Sequence, residues 1–232
     1  MKRALAAALI CLSLAAHADD DVSKVNGAIR VEAGRTVGEV SSVNGSVRLG
    51  DGVTALDVGT VNGAIHIGAR SSVGAIDTVN GSITLEDETK AKSIESVNGS
   101  VRLGSSSEVA GDATSVNGSM SFGQASRVGG NVETVNGSIT LDQARVGGRL
   151  KTTNGAITVG AKSHVRGGIL VEKKTFSFFD WNRRKPKIVI GPEAIVEGTL
   201  KFEHEVELYV SDTAKIGEVD GASPIRFSGD RP

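Results

Sequence analysis

The seven residues Val61-Asn62-Gly63-Ala64-Ile65-His66-Ile67 recur along most of this 232-residue chain. Near-copies begin at Val25, Val43, Val79, Val97, Val116 and Val135, and a weakened one at Thr153. The asparagines fall at 26, 44, 62, 80, 98, 117, 136 and 154, in steps of 18 or 19 residues. A period of that size means stacked units, none of which buries its apolar face except against its neighbours.

Within a unit, Ile65 and Ile67 alternate with outward residues, as in a half-buried strand. A second beat falls every six residues, through Val61, Ile67, Val73 and Val79. Three six-residue sides describe a triangular coil, with a small residue (Asn62, Gly68, Gly74) after the buried one at each corner. Asn-Gly is also the strongest hairpin signal, and such hairpins would suit an outer-membrane barrel. That barrel needs aromatic girdles and strands of about ten alternating residues, and the first 170 residues hold neither. The fold expected is all-β, a parallel β-solenoid. Glycine after asparagine is expected to supply the positive φ of a tight corner. The column Asn26, Asn44, Asn62, Asn80, Asn98, Asn117, Asn136 and Asn154 is expected to be a structural ladder, its amides bonding up and down the rod.

The coils should continue beyond the last Asn-Gly. Ile188 and Ile190 resemble the pair Ile157 and Val159, 31 residues on, which is one coil lengthened by 13. Val206 and Leu208 follow 18 later, and Ile225 and Phe227 19 after those. Eleven coils result, a rod on the order of 50 Å long at about 4.8 Å per coil. A core this slender suits stacked Val, Ile and Leu, and aromatics make up only 3% of the chain. The 30 glycines follow no Gly-X-Y period, and a net charge of -1 is too small for a disordered tail.

Lys2 and Arg3, the apolar run Ala4 to Ala15 and the A-x-A site Ala16-His17-Ala18 read as a secretory signal peptide. The run is too short to span a bilayer. Cys11 lies inside it, after Ile10 rather than the small residue a lipoprotein signal needs, so cleavage leaves no thiol. The remaining chain carries 24 basic and 27 acidic side chains. The expected organisation is a signal peptide at 1–18, Asn-Gly coils at 19–171, an insertion at 172–187, and C-terminal coils with a cap at 188–232.

The insertion holds half of the eight aromatics, among them Phe176, Phe178, Phe179 and Trp181, and a charge of +4 from residues such as Arg183, Arg184 and Lys185. Aromatics beside Arg and Lys are the composition of binding hot spots and interfacial contacts. They mark the leading interaction site, for an envelope polysaccharide, a lipid headgroup or a protein; packing against the rod is the alternative. A second stripe runs through Arg30, Arg48, His66, Thr84, Arg102, Ser121, Thr140 and Thr158. Such a run invites an anion unless Glu32 and Glu86 neutralise it. Net acidity and the export signal argue against nucleic acid.

Catalytic constellations are not expected. His66, His164 and His204 are scattered, and the alternation in Glu203-His204-Glu205-Val206-Glu207 sends the carboxylates and the histidine to opposite faces of an acidic edge strand. Asp57, Asp77 and Glu95 are expected not to converge on one coil position. No cofactor or metal is expected, and no enzymatic activity.

The unit V-N-G-[SA]-[IV]-x-[LVI] resembles the bacterial putative-adhesin family of exported β-strand repeat proteins. Val128-Gly129-Gly130-Asn131-Val132 and Val196-Glu197-Gly198-Thr199-Leu200 resemble bactofilins, polymer-forming cytoskeletal proteins. The resemblance implies a right-handed triangular β-helix and, from bactofilins, end-to-end polymerisation. The expected function is an exported, non-enzymatic scaffold or adhesin-like binding rod of the periplasm or cell surface. A polymer-forming structural protein is the alternative, and a carbohydrate-active or acyl-transferring enzyme stands third.

Overall fold

A computed structural model describes residues 21–173 and 185–232. Among them every regular element is a strand, and every strand pairing is parallel. The chain is a β-solenoid of eleven turns. Its first side is a sheet of eleven strands, one per coil, running from Ile29–Val31 to Ile225–Phe227. Coil six shows all three sides: Met120–Phe122 on the first, Arg127–Val128 on the second and Val132–Asn136 on the third. In the opening coils the second side is only a run of single bridges, Thr36 to Thr54 to Ser72.

Successive coils lie in register at the repeat period, so Ile65 sits on Val47 and under Ile83. Ile157 pairs with Ile188, so the first side keeps its register across the lengthened coil. Inward residues from the three sides meet on the axis. In coil three these are Ile65 and Ile67, then Val73, then Ile76 and Thr78, all buried. Stacking explains the thin aliphatic core, because each side chain packs on its own counterpart one step along. Phe122 fits by lying between Leu103 and Leu141.

Several local expectations are corrected. The valine that opens each Asn-Gly unit is not a core residue: Val25 is 61% and Val135 40% exposed. On the third side strict alternation wins, as in Val58–Asn62, where Val58 and Thr60 point inward and Val61 outward. The buried position therefore falls to the preceding hydroxyl: Ser42, Thr60, Thr78, Ser96, Ser115, Thr134 and Thr152. Thr60 Oγ1 donates to the carbonyl of Gly45 at 3.0 Å, closing the corner from inside. The Oγ atoms of Ser42, Ser96 and Ser115 have no partner.

The Asn-Gly glycines are needed for another reason than the expected positive φ, which only Gly27 adopts. At Gly63, a Cβ would overlap the carbonyl oxygen of Gly45 one coil earlier. The corner is bare because two backbones touch along the axis. The left-handed position lies one corner on, where Gly34 and Gly52 give way to Arg70, Glu88, Ser106, Ala125, Gln143, Lys162 and Glu193, one per coil.

The last coils also differ in register. Ile188 pairs with Leu208 and Ile190 with Val210, a step of 20 rather than 18. Residues 203–206 form a corner instead of the expected edge strand, which delays the next strand to Glu207. In the terminal strand Ile225 pairs with the outward Tyr209 and is 52% exposed, so it is not a core residue.

Candidate functional site

Register turns every outward sequence position into a line of side chains along the rod. The eight asparagines form one such line. Each amide donates to the one before it, from Asn44 Nδ2 on Asn26 Oδ1 at 3.2 Å to Asn154 Nδ2 on Asn136 Oδ1 at 2.7 Å. The five bonds between, through Asn62, Asn80, Asn98, Asn117 and Asn136, measure 2.8 to 3.0 Å. Each interior asparagine gives one N–H and one lone pair to the column, which ties these amides to holding the corner.

On the first side the register brings Arg30, Arg48, His66, Thr84, Arg102, Ser121, Thr140 and Thr158 into one line. At its N-terminal end an open groove of ≈ 330 Å³ is lined by Arg30, Arg48 and His66 together with Glu32 and Asp51. Arg70 reaches Asp51 at 3.8 Å, and His66 Nε2 lies 3.6 Å from Glu86. The two arginines thus share their groove with two carboxylates, so it offers hydrogen bonds of both polarities rather than one sign of charge. A second hollow, of ≈ 490 Å³, opens where Asp230 to Pro232 lie against Thr158, Val189 and Pro192.

The third side overturns the expectation for the carboxylates. Asp77 stacks directly on Glu95. Burial, then the charge of Glu95, then that of Asp57, push the Asp77 carboxyl up to about 6. The clue was a separation of 18, the coil period itself. Asp77 is thus a weaker acid than an isolated aspartate. Among the described residues no group of three His, Asp or Glu converges as metal ligands would.

The second side carries a line the sequence reading missed: Lys90, Glu108, Arg127, Arg145, His164, Ile195 and Lys215 stand in register. Again the signal was present from Lys90 to His164 as separations of 18 or 19, before steps of 31 and 20 to Ile195 and Lys215. It was hidden because the Asn-Gly motif draws attention to the opposite corner.

Of the proposed contact residues in the insertion, Phe176, Phe178, Phe179, Trp181, Arg183 and Arg184 lie outside the described residues; Lys185 is within them. Both feet of the insertion are tied to the next corner of the rod. The backbone N–H of Lys173 donates to Glu203 Oε2 at 3.2 Å, and Lys185 Nζ pairs with Glu205 Oε2 at 2.9 Å. Hydrogen bonding and attraction between the last two hold Lys185 above the usual lysine value and Glu205 below the usual carboxylate value. His204, between the two glutamates, faces the carbonyl of Glu205 at 3.2 Å and that of Thr153 at 3.1 Å, 51 residues earlier. The run read as a solvated acidic strand is the clasp at the base of the insertion.

No family model, no curated protein and no solved structure matches the chain.

Proposed function

We propose that this protein is an exported, non-enzymatic β-solenoid serving as a cell-envelope scaffold or adhesin-like binding rod. Its contact is the aromatic-basic insertion between coils eight and nine. The observation that carries this reading is the clasp: Glu203 and Glu205 hold Lys173 and Lys185, so a segment rich in Phe, Trp and Arg leaves and rejoins a rigid rod at two fixed points. Contact residues set on a rigid scaffold lose less entropy on binding than those on a free chain. Envelope polysaccharide, anionic lipid headgroup and envelope protein are the partner classes, and the run Lys2 to Ala18 supplies the export signal.

The test is a binding screen against envelope glycans and lipid vesicles, with Phe178, Phe179 and Trp181 changed together to serine. Binding lost from a rod that keeps its β circular dichroism is the expected result. Unchanged binding sinks the insertion as the contact, and a secreted protein still beginning at Met1 sinks the signal peptide.

The rod's ends favour a second reading, assembly into polymers. Among the described residues the strands Ile29–Val31 and Ile225–Phe227 each pair on one edge only, and Val25 and Ile225 are exposed at those two ends. An unpaired strand edge is a template for another chain. Light scattering and electron microscopy decide it: filaments support polymerisation, and a dispersed monomer rejects it.

A further inference from the structure

A patch of positive charge lies on the second side. Segments 124–131, 143–149 and 161–168 carry coils six to eight past it. They contain Arg127, Arg145, Arg149, Lys162 and Arg166 and no Asp or Glu. Arg127 sits directly on Arg145, and Arg145 on His164. Like charges stacked one coil apart, about 4.8 Å, repel. Elsewhere on the rod Arg70, Lys151 and Lys185 each have a carboxylate partner. Arg127, Arg145 and Arg149 form no ion pair among the described residues. Glu108 stands in the same line one coil before Arg127, and Glu197 at coil nine is taken by His164 at 2.7 Å.

The backbone explains why the strip stays open. The corner after it is Gly129-Gly130 in coil six and Gly147-Gly148 in coil seven, where any Cβ would overlap the backbone of the preceding coil. Bare corners leave the guanidinium groups beside them uncovered. Among the described residues the large apolar side chains that are exposed, Val25, Leu56, Val135 and Ile225, lie off the strip.

We infer that this strip, centred on Arg127, Arg145 and Arg149, binds an acidic polysaccharide laid along the rod axis. The inference rests on the binding-rod reading and names a ligand class for it. Two guanidinium groups one coil apart, Arg127 and Arg145, with Arg149 at the corner that follows, call for a partner whose anions are spaced along the rod axis. A guanidinium fork pairs with the carboxylate of a uronic acid through two parallel hydrogen bonds. A membrane surface would want a plane of charge with apolar anchors, and a single-stranded nucleic acid would want aromatic platforms. The strip has neither.

The test titrates the purified protein with polygalacturonate, with neutral dextran and with anionic phospholipid vesicles, at low and at physiological salt. Arg127→Gln, Arg145→Gln and Arg149→Gln are combined in one variant; Arg30→Gln, Arg48→Gln and Arg102→Gln form the control. The strip variant should lose at least tenfold in polygalacturonate affinity. Its salt slope should flatten by about 2–3 units, since each of the three lost contacts contributes just under one. The control should bind as the parent does. The single variant Arg145→Glu repeats the test with one exposed substitution, should the triple variant fail to fold. Polygalacturonate bound equally well by parent and strip variant overturns the strip and leaves the binding rod standing, as does an equal loss in the control. Binding to vesicles alone overturns it in favour of a membrane. Failure of the parent to bind glycan, vesicle or envelope protein removes both readings together.

Discussion

Replacing Asp77 with asparagine should stabilise the rod at neutral pH and do nothing at acid pH. Asp77 stands in register with Glu95, and its carboxyl is pushed from 3.8 to about 6, chiefly by burial and then by Glu95 and Asp57. The folded-state value is above the unfolded one, which fixes the sign. Below pH 3.8 the group is protonated in both states and contributes no difference. Between 3.8 and about 6 the unfolded chain releases its proton while the folded rod keeps it, so the parent loses stability as pH rises. Above that window the full penalty persists. A shift of this size corresponds to about 3 kcal/mol as a ceiling, and solvent reaching the half-buried side chain reduces it to about 1–2 kcal/mol. Asparagine nearly preserves the shape and cannot ionise, so it recovers that amount. Urea unfolding of parent and variant from pH 3.5 to 8 measures it, with midpoints compared at equal slope. The gap should open through the window and level off above it. An equal gain at every pH would refute the reasoning, because a packing or hydrogen-bond effect carries no such dependence. Glu95→Gln should give a smaller gain with the same pH profile, since burial is the larger cause.

Other substitutions test the stacking. Asn80→Ala removes the bonds to Asn62 and from Asn98 and should cost about 1–2 kcal/mol, read as a fall in the unfolding midpoint; no fall would mean the ladder is ornamental. Ser96 has a buried hydroxyl without a partner, so Ser96→Ala should be neutral or stabilising by up to about 1 kcal/mol. Thr60→Val, which removes the bond to Gly45, should lose about 1 kcal/mol in the same assay. Gly81→Ala places a methyl on the carbonyl of Gly63 and should destabilise far more than Gly52→Ala. At Gly52 the Cβ meets open space and only φ +66 is unfavourable, about 1–2 kcal/mol; equal losses would remove axial contact as the reason for the Asn-Gly glycines.

The coil length and the first-side strands were readable because both depend on spacing alone: a period of 18 or 19 with Ile65-x-Ile67 alternation leaves one way to stack. The final coils were not. Ile188 was matched to Val206 because both begin an alternating pair, yet it meets Leu208. What shifts the match is the four-residue corner at Glu203–Val206, whose role is to hold the feet of the insertion. A hydrophobic pattern cannot report a corner whose cause lies across space.

The asparagine column, the eleven coils and the bare Asn-Gly corners were determined by the sequence itself, because identical units in register must place like on like. The tertiary structure decided which side of each residue faces the axis. That choice moved the leading valines outward and Ser or Thr inward, since alternation along the third side is set by Val58 and its counterparts. It also decided which distant charges meet. Asp77 on Glu95, Arg127 on Arg145 and Glu205 on Lys185 are neighbours only after the chain has wound round. Electrostatics acts through distance in space, and the winding converts steps of one coil into contacts.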